Sequence, residues 1–156
     1  MKVYSTKQIR DSVAHICKKY GDTYWRALDK EKKYPSEFVK EMTDSGFLNV
    51  LIPEEFGGSG LGLIDACAVL EEISLNGAHA GACHAQMYVM GSILRHGTEE
   101  QKAKFLPKIS DGKLRLQSFA VTEPNSGTDT TNIKTFAEKT NSGWKVNGQK
   151  VWISRV

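Results

Sequence analysis

The stretch "VTEPNSGTDT", residues 121–130, has no side chain large enough to fill a core, yet it is dense in hydrogen-bonding groups. Pro124 stiffens the chain just after Glu123, because its ring fixes φ. Gly127 can adopt backbone angles closed to other residues. Ser126, Thr128, Thr130 and Thr131 offer hydroxyls, and successive loop N–H groups can form an anion-binding nest. One reading is a loop that meets phosphate or the polar edge of a cofactor, with the Thr122 hydroxyl contributing from the segment before it. The other is a decorated β-turn. No GxGxxG or Walker pattern occurs, so neither a Rossmann nor a P-loop site is supported.

A second group lies downstream. Trp152 falls in an alternating segment, where core packing is the plain reading. A flat indole can also stack on a cofactor ring. On a strand, Ser154 shares the face of Trp152 because it lies two residues on. An aromatic wall followed by a hydroxyl suits a flat heterocycle with polar edges. The remaining chemistry-bearing residues do not combine. His15, His79, His84 and His96 show no metal-ligand spacing. The adjacent glutamates 54–55, 71–72 and 99–100 diverge by about 100° on a helix and are not acid/base pairs. No Ser-His-Asp or Cys-His set can be assembled.

The elements that must position these groups change character along the chain. Ser5 to about Lys30 has helical periodicity, with Ile9, Val13, Ile16, Cys17 and Tyr20 on one face, a capping box at Ser5 and Gln8, and a break at Gly21. Pro35-Ser36 opens a further helix that turns Phe38, Val39 and Met42 inward and is capped by Gly46. "FLNVLIPEEFGGSGLG", residues 47–62, is a shaped loop. Helix resumes at about Leu63 with Ala66, Val69, Leu70 and Ile73 on one face. Residues 78–96 are small and apolar without an acidic residue, and such weak amphipathicity predicts a buried helix. Small side chains at 78–90 leave room beside the helix, and close helix packing explains them equally well. Thr98 and Gln101 predict a capping box, and Asp111-Gly112 ends that helix. After Gly112 the period becomes two. "LRLQSFAVT" and "IKTFAEKT" read as strands, Asn141-Ser142-Gly143 reads as a turn, and Asn147-Gly148 between "WKV" and "QKVWIS" signals a hairpin with a type I′ turn.

Composition bounds the classes of function. Of 156 residues, 40% are hydrophobic and 25% charged, which is ordinary for a globular protein. The net charge of +3 comes from intermixed signs without a basic block, so nucleic acid is not suggested as a partner. No apolar run reaches the roughly 18 residues of a membrane span. Cys17, Cys67 and Cys83 have no CxxC spacing, which fits reduced thiols in a cytosol-like compartment. The start, "MKVYSTKQIR", lacks the apolar core of a signal peptide.

Four stretches carry a family resemblance. "FAVTEPNSGTD" (119–129), "WKVNGQKVWIS" (144–154), "IPEEFGGSGLGLIDACAVLEEIS" (52–74) and "GTEEQKAKFLPKISDGK" (97–113) together resemble the acyl-CoA dehydrogenase family. The resemblance implies a mainly α chain. An all-helical N-terminal domain (1–112) is followed by the first strands of an incomplete β-barrel-like middle domain (113–156), and the family's C-terminal helical bundle has no counterpart. It implies FAD as cofactor and oxidation of an acyl-CoA substrate to the trans-2-enoyl-CoA. A glutamate takes the α-proton, hydride passes to flavin N5, and electrons pass on to an electron-transferring flavoprotein. By the same resemblance Phe119, Val121 and Thr122 meet the flavin ring. Gly127 and Thr128 meet FAD, with Thr128, in place of a more usual Ser, also meeting the bound substrate. Trp152 lies beside the flavin and Ser154 near its N5. Asn125-Ser126 departs from a more usual small pair. The family's catalytic glutamate lies outside these residues, so Glu54, Glu71 and Glu123 are not assigned that role. This chain by itself is expected to be inactive, and a full-length version is expected to be a homo-oligomer. A cytoplasmic location is expected, or the mitochondrial matrix in a eukaryote. The competing readings are a flavin oxidase or monooxygenase of the same fold and a non-catalytic helical interaction module.

Overall fold

The structure, a computed structural model, describes residues 6–154. The chain divides after Leu116 into two compact units.

The first unit is helical: α1 (Thr6–Cys17), α2 (Asp22–Glu31), α3 (Ser36–Asp44), α4 (Leu63–Leu75), α5 (Gly81–His96) and α6 (Glu99–Ser110). Gly21 separates α1 from α2 with an extended backbone, so the expected break is there. Ser5, half of the capping box expected for α1, lies outside the described residues. Pro35 precedes α3, where its missing N–H costs the helix nothing. Gly46 then ends α3 at φ 78°, a left-handed angle that lets the Phe47 N–H return to the Met42 carbonyl at 3.0 Å. The Thr98 capping box is complete. The Gln101 N–H donates to Thr98 Oγ1 at 3.2 Å, and the Thr98 N–H donates to Gln101 Oε1 at 2.9 Å. A cap of this kind contributes about 1 kcal/mol.

Burial follows the predicted faces. Ile9, Val13, Ile16 and Cys17 of α1 pack with Phe38, Val39 and Met42 of α3, Ala66, Val69 and Ile73 of α4, and Ala82, Cys83 and Met87 of α5. Tyr20 and Trp25 meet the Phe38 ring edge-on, with centroids 5.3 Å and 5.1 Å away. A second cluster joins Ile52, Met90, Leu106 and Ile109. The expected buried helix is buried on one side only. Ala82, Cys83, Ala85, Gln86, Met87 and Met90 face inward, while His84 and Tyr88 are exposed. Its small residues obscure the amphipathic stripe because they change hydropathy little from face to face. The glycine-rich loop is shaped by close approach, since a Cβ on Gly58 would lie 2.0 Å from the Ile52 carbonyl oxygen. Among the described residues, no helix is long and apolar enough to cross a membrane.

The second unit contains one two-stranded antiparallel sheet, β1 (Phe136–Thr140) with β2 (Gly143–Asn147). Three strand expectations are corrected here. The register pairs Thr140 with Gly143 and Phe136 with Asn147, so the two-residue turn is Asn141-Ser142, and Asn147-Gly148 stands at the far end of the hairpin. Neither segment 114–122 nor residues 149–154 form a strand. An alternating pattern becomes a strand only when a partner supplies its backbone bonds. Here a backbone-to-backbone bond runs between described residues of these segments from the Val151 N–H to the Thr122 carbonyl at 3.0 Å, which does not extend into a ladder.

Candidate functional site

The loop after Thr122 is held by its own short-range bonds. Glu123 and Ser126 exchange backbone hydrogen bonds of 2.9 Å and 3.1 Å, closing a tight turn over Pro124-Asn125. The buried Ser126 hydroxyl donates to the Asp129 carbonyl. The Asp129 carboxylate accepts from Thr131 Oγ1 at 2.9 Å and from Asn132 Nδ2 at 3.3 Å, which sets a 3-10 helical turn at Thr130–Asn132. Two of the four hydroxyls expected to face a ligand, those of Ser126 and Thr131, are therefore engaged inside the loop. The hydroxyls of Thr122, Thr128, Thr130 and Ser154 have no hydrogen-bond partner among the described residues, and neither do the N–H groups of Gly127 and Thr128. Space over Gly127 is open, with no atom within 4 Å of where a Cβ would stand.

Glu123 anchors the loop. Its side chain is buried, with 3% of the residue exposed. Oε2 accepts the Lys134 N–H at 2.6 Å, and Oε1 accepts the Thr135 N–H at 2.8 Å and Lys150 Nζ at 2.9 Å. The carboxyl is held at about 2, well below its usual 4.5. The largest influence is the neighbouring Thr135 hydroxyl, followed by the Lys134 N–H, the Lys150 ammonium and the Thr135 N–H. The Thr135 hydroxyl lies outside hydrogen-bonding geometry and has no partner. The two N–H groups and the ammonium are thus the bonds that hold the carboxylate in place. Donors aimed at a carboxylate favour its charged form, so Glu123 is a fixed anion and not a proton acceptor.

Lys150 extends the anchor, because its ammonium also donates to the Val121 carbonyl at 2.9 Å. Ser118 Oγ donates to the Ser154 carbonyl at 3.0 Å. Segments 118–123 and 150–154 are thereby tied at Ser118–Ser154, at Val121–Lys150 and at Thr122–Val151. The expected site residues lie on the two tied segments, Phe119, Val121 and Thr122 on one and Trp152 and Ser154 on the other, or in the adjoining loop, Gly127 and Thr128.

Trp152 departs from the expected strand. Its φ is 61° and its residue is 91% exposed. A positive φ is a true outlier for a bulky side chain. The strand-based argument that Trp152 and Ser154 share a face therefore fails, although the two remain on the same short segment. Core packing, the plain reading of this indole, is also absent.

Glu123 and Lys150 are the residues that sequence reasoning missed as positioning groups. No local signal marks them, because the carboxylate's partners lie 11, 12 and 27 positions away. His79 Nδ1 accepts the Ala82 N–H at 3.2 Å at the start of α5, and His84 packs edge-on against Tyr88. Among the described residues, no group of three His, Cys, Asp or Glu is placed to hold a metal.

Comparison with known proteins bears on this loop. The profile described as acyl-CoA dehydrogenase, N-terminal domain, matches residues 5–113, and that of the acyl-CoA dehydrogenase middle domain matches residues 118–156. The acyl-CoA dehydrogenase FadE12 of Mycobacterium tuberculosis (strain ATCC 25618 / H37Rv) is 38% identical over 151 residues, which are 95% of this chain and 38% of the relative. Mitochondrial isovaleryl-CoA dehydrogenase of Bos taurus is 34% identical over 158 residues, 95% of this chain and 35% of the relative. The crystal structure of an acyl-CoA dehydrogenase complexed with FAD from Bacillus anthracis is similar with a TM-score of 0.81 at 30% identity, over 97% of this chain and 27% of that one. The chain thus spans well under half the length of these relatives.

Proposed function

This chain belongs to the acyl-CoA dehydrogenase family, and we propose on that premise that it supplies the helical domain (1–112) and the flavin-facing loop of the following domain (113–156) to an enzyme that oxidises acyl-CoA thioesters to trans-2-enoyl-CoA. The observation that carries the reading is Trp152. An indole held at a positive φ and left almost wholly exposed lies next to the residue whose N–H bonds to the Thr122 carbonyl. Backbone strain of this kind costs about 1–3 kcal/mol and clusters at ligand sites. A bare aromatic face beside unpaired hydroxyls and N–H donors fits a flat heterocycle with polar edges.

FAD, when bound, supplies the acceptor for the hydride removed from the substrate. The residues of this chain bind and orient. Trp152 offers a stacking surface, and Phe119 and Val121 line the ring. The Thr122 and Ser154 hydroxyls donate to its polar edge, and Gly127 and Thr128 meet the cofactor, Thr128 also meeting the thioester. Donors fixed before reaction stabilise negative charge as it develops and need no reorganisation. The Glu123 carboxylate, already engaged by three donors, does not serve as the base that takes the α-proton. The acceptor downstream is proposed to be an electron-transferring flavoprotein, and the assembled enzyme a homo-oligomer.

The test is a titration of FAD into the chain followed by amide and indole NMR signals. Saturable shifts are expected at Thr122, Gly127, Thr128 and the Trp152 indole. Shifts scattered over the surface, or none at these four up to the solubility limit of FAD, overturn the assignment.

A further inference from the structure

We propose that the Glu123–Lys150 pair is a positioning device for the cofactor: the carboxylate and the ammonium lock the three segments that carry the flavin-facing residues into one fixed arrangement. The inference rests on the flavin reading above and adds residues that the reading does not require.

The geometry has three parts. The Glu123 carboxylate accepts the consecutive N–H groups of Lys134 and Thr135, so it closes the loop 123–135 from the inside. Gly127 and Thr128 lie within that closed loop. The Lys150 ammonium then joins the carboxylate to the Val121 carbonyl, both at 2.9 Å. Lys150 is two residues before Trp152, and Val121 is one residue before Thr122. One ion pair thus fixes the backbone two residues from Trp152 on one segment and next to Thr122 on the other. Neither Glu123 nor Lys150 has to touch the cofactor for this to operate.

The surroundings make the lock firm. The carboxylate is buried, and three hydrogen bonds converge on it. Nothing else pulls on the ammonium, because its described partners are those two oxygens alone. The loop has almost no apolar anchor to substitute for the pair, since Thr128 through Lys134 are all exposed. Without the carboxylate, two backbone N–H groups and one ammonium lose their common acceptor. Loop 123–135 then loses its closure, and the segments carrying Thr122 and Trp152 keep only the Val151–Thr122, Ser118–Ser154 and Lys150–Val121 bonds; a ligand must order the loosened parts on binding, which lowers its affinity.

The experiment uses Glu123→Gln, Lys150→Met and Lys150→Arg in the chain titrated with FAD. Dissociation constants come from the Thr128 amide and Trp152 indole signals, together with the shape of the bound flavin's visible absorption. Glu123→Gln and Lys150→Met are expected to weaken FAD about tenfold or more, the scale of losing hydrogen bonds to a charged group, and to change the flavin band. Lys150→Arg, which keeps a cation that can bridge both oxygens, is expected to restore most of the affinity. In all three, signals of the helical unit should stay unchanged. If Glu123→Gln collapses the β1–β2 amide signals, Lys150→Met decides alone, since it leaves the carboxylate on the Lys134 and Thr135 N–H groups. Wild-type affinity and spectrum in Lys150→Met, with the Lys134 and Thr135 amides visibly loosened in Glu123→Gln, would reduce the pair to a local structural role. Absence of FAD-induced shifts in the unaltered chain would remove the flavin reading itself, and this inference with it.

Discussion

Gly148→Asn separates two accounts of the β segment. In a type I′ turn at Asn147-Gly148, the second central position accepts Asn at little cost because both residues tolerate positive φ. The structure instead uses Gly148 for close approach. A Cβ there would stand 2.2 Å from Thr135 Oγ1, 2.7 Å from Thr135 Cα and 2.7 Å from Thr135 Cβ. Rotating the Thr135 side chain relieves the clash with the hydroxyl but leaves the clash with the main chain, so the backbone at 135 must move. That backbone is where the Thr135 N–H meets the Glu123 carboxylate at 2.8 Å. Overpacking of this kind costs about 1–3 kcal/mol. A two-stranded sheet is marginal by itself, so the cost should appear as local opening of the second unit. At about 1.4 kcal/mol per factor of ten, amide exchange at Thr135 and across the β1–β2 pairs should quicken roughly 5- to 100-fold. The assay is hydrogen exchange read by NMR at those amides, with α4 and α5 as internal references. Unchanged exchange at Thr135, with a retained Asn147–Phe136 pairing, would refute the close-approach account and favour a turn.

Three further outcomes are expected. Thr122→Val should weaken FAD by about a hydrogen bond's worth, roughly 1 kcal/mol or a factor of about five; an identical titration curve and flavin spectrum would remove Thr122 from the site. Phe38→Ala should lower stability by about 3–5 kcal/mol, because the ring is fully buried between Tyr20 and Trp25; urea unfolding followed by circular dichroism checks this, and a loss below about 1 kcal/mol would mean the site collapses freely. The Glu123 carboxyl has a lower pKa folded, about 2, than its usual 4.5. Its contribution is therefore fully present above pH 4.5 and is lost as pH falls from 4.5 towards 2. Titration of its side-chain carboxyl signal should show this, with protection of the Lys134 and Thr135 amides falling over the same window; a midpoint near 4.5 would contradict the three-donor arrangement.

The helical unit was legible because its determinants are local. A helix satisfies each N–H four residues back, so Pro35, Gly46, the Thr98–Gln101 box and Gly112 act on bonds within a turn of themselves, and each stands where its type predicts. The apolar faces of α1, α3 and α4 were readable for the same reason, since one period decides which side chains point inward. The four quoted stretches that carry the family resemblance were also present in the linear chain. In the β segment the strand ending at Thr140 and the turn after it were legible, and tertiary structure decided which other segments pair. Alternation at 114–122 and around Trp152 states only that a segment could pair, and pairing depends on which distant backbone is available to accept. The hairpin closes at the turn that Asn141-Ser142-Gly143 predicts, while the second turn signal, at Asn147-Gly148, becomes a close approach to Thr135. The Glu123 carboxylate shows the same limit in its sharpest form. Whether an acidic residue is a base, a surface charge or an anchor depends on which donors surround it, and those came from positions 134, 135 and 150, which only folding brings together.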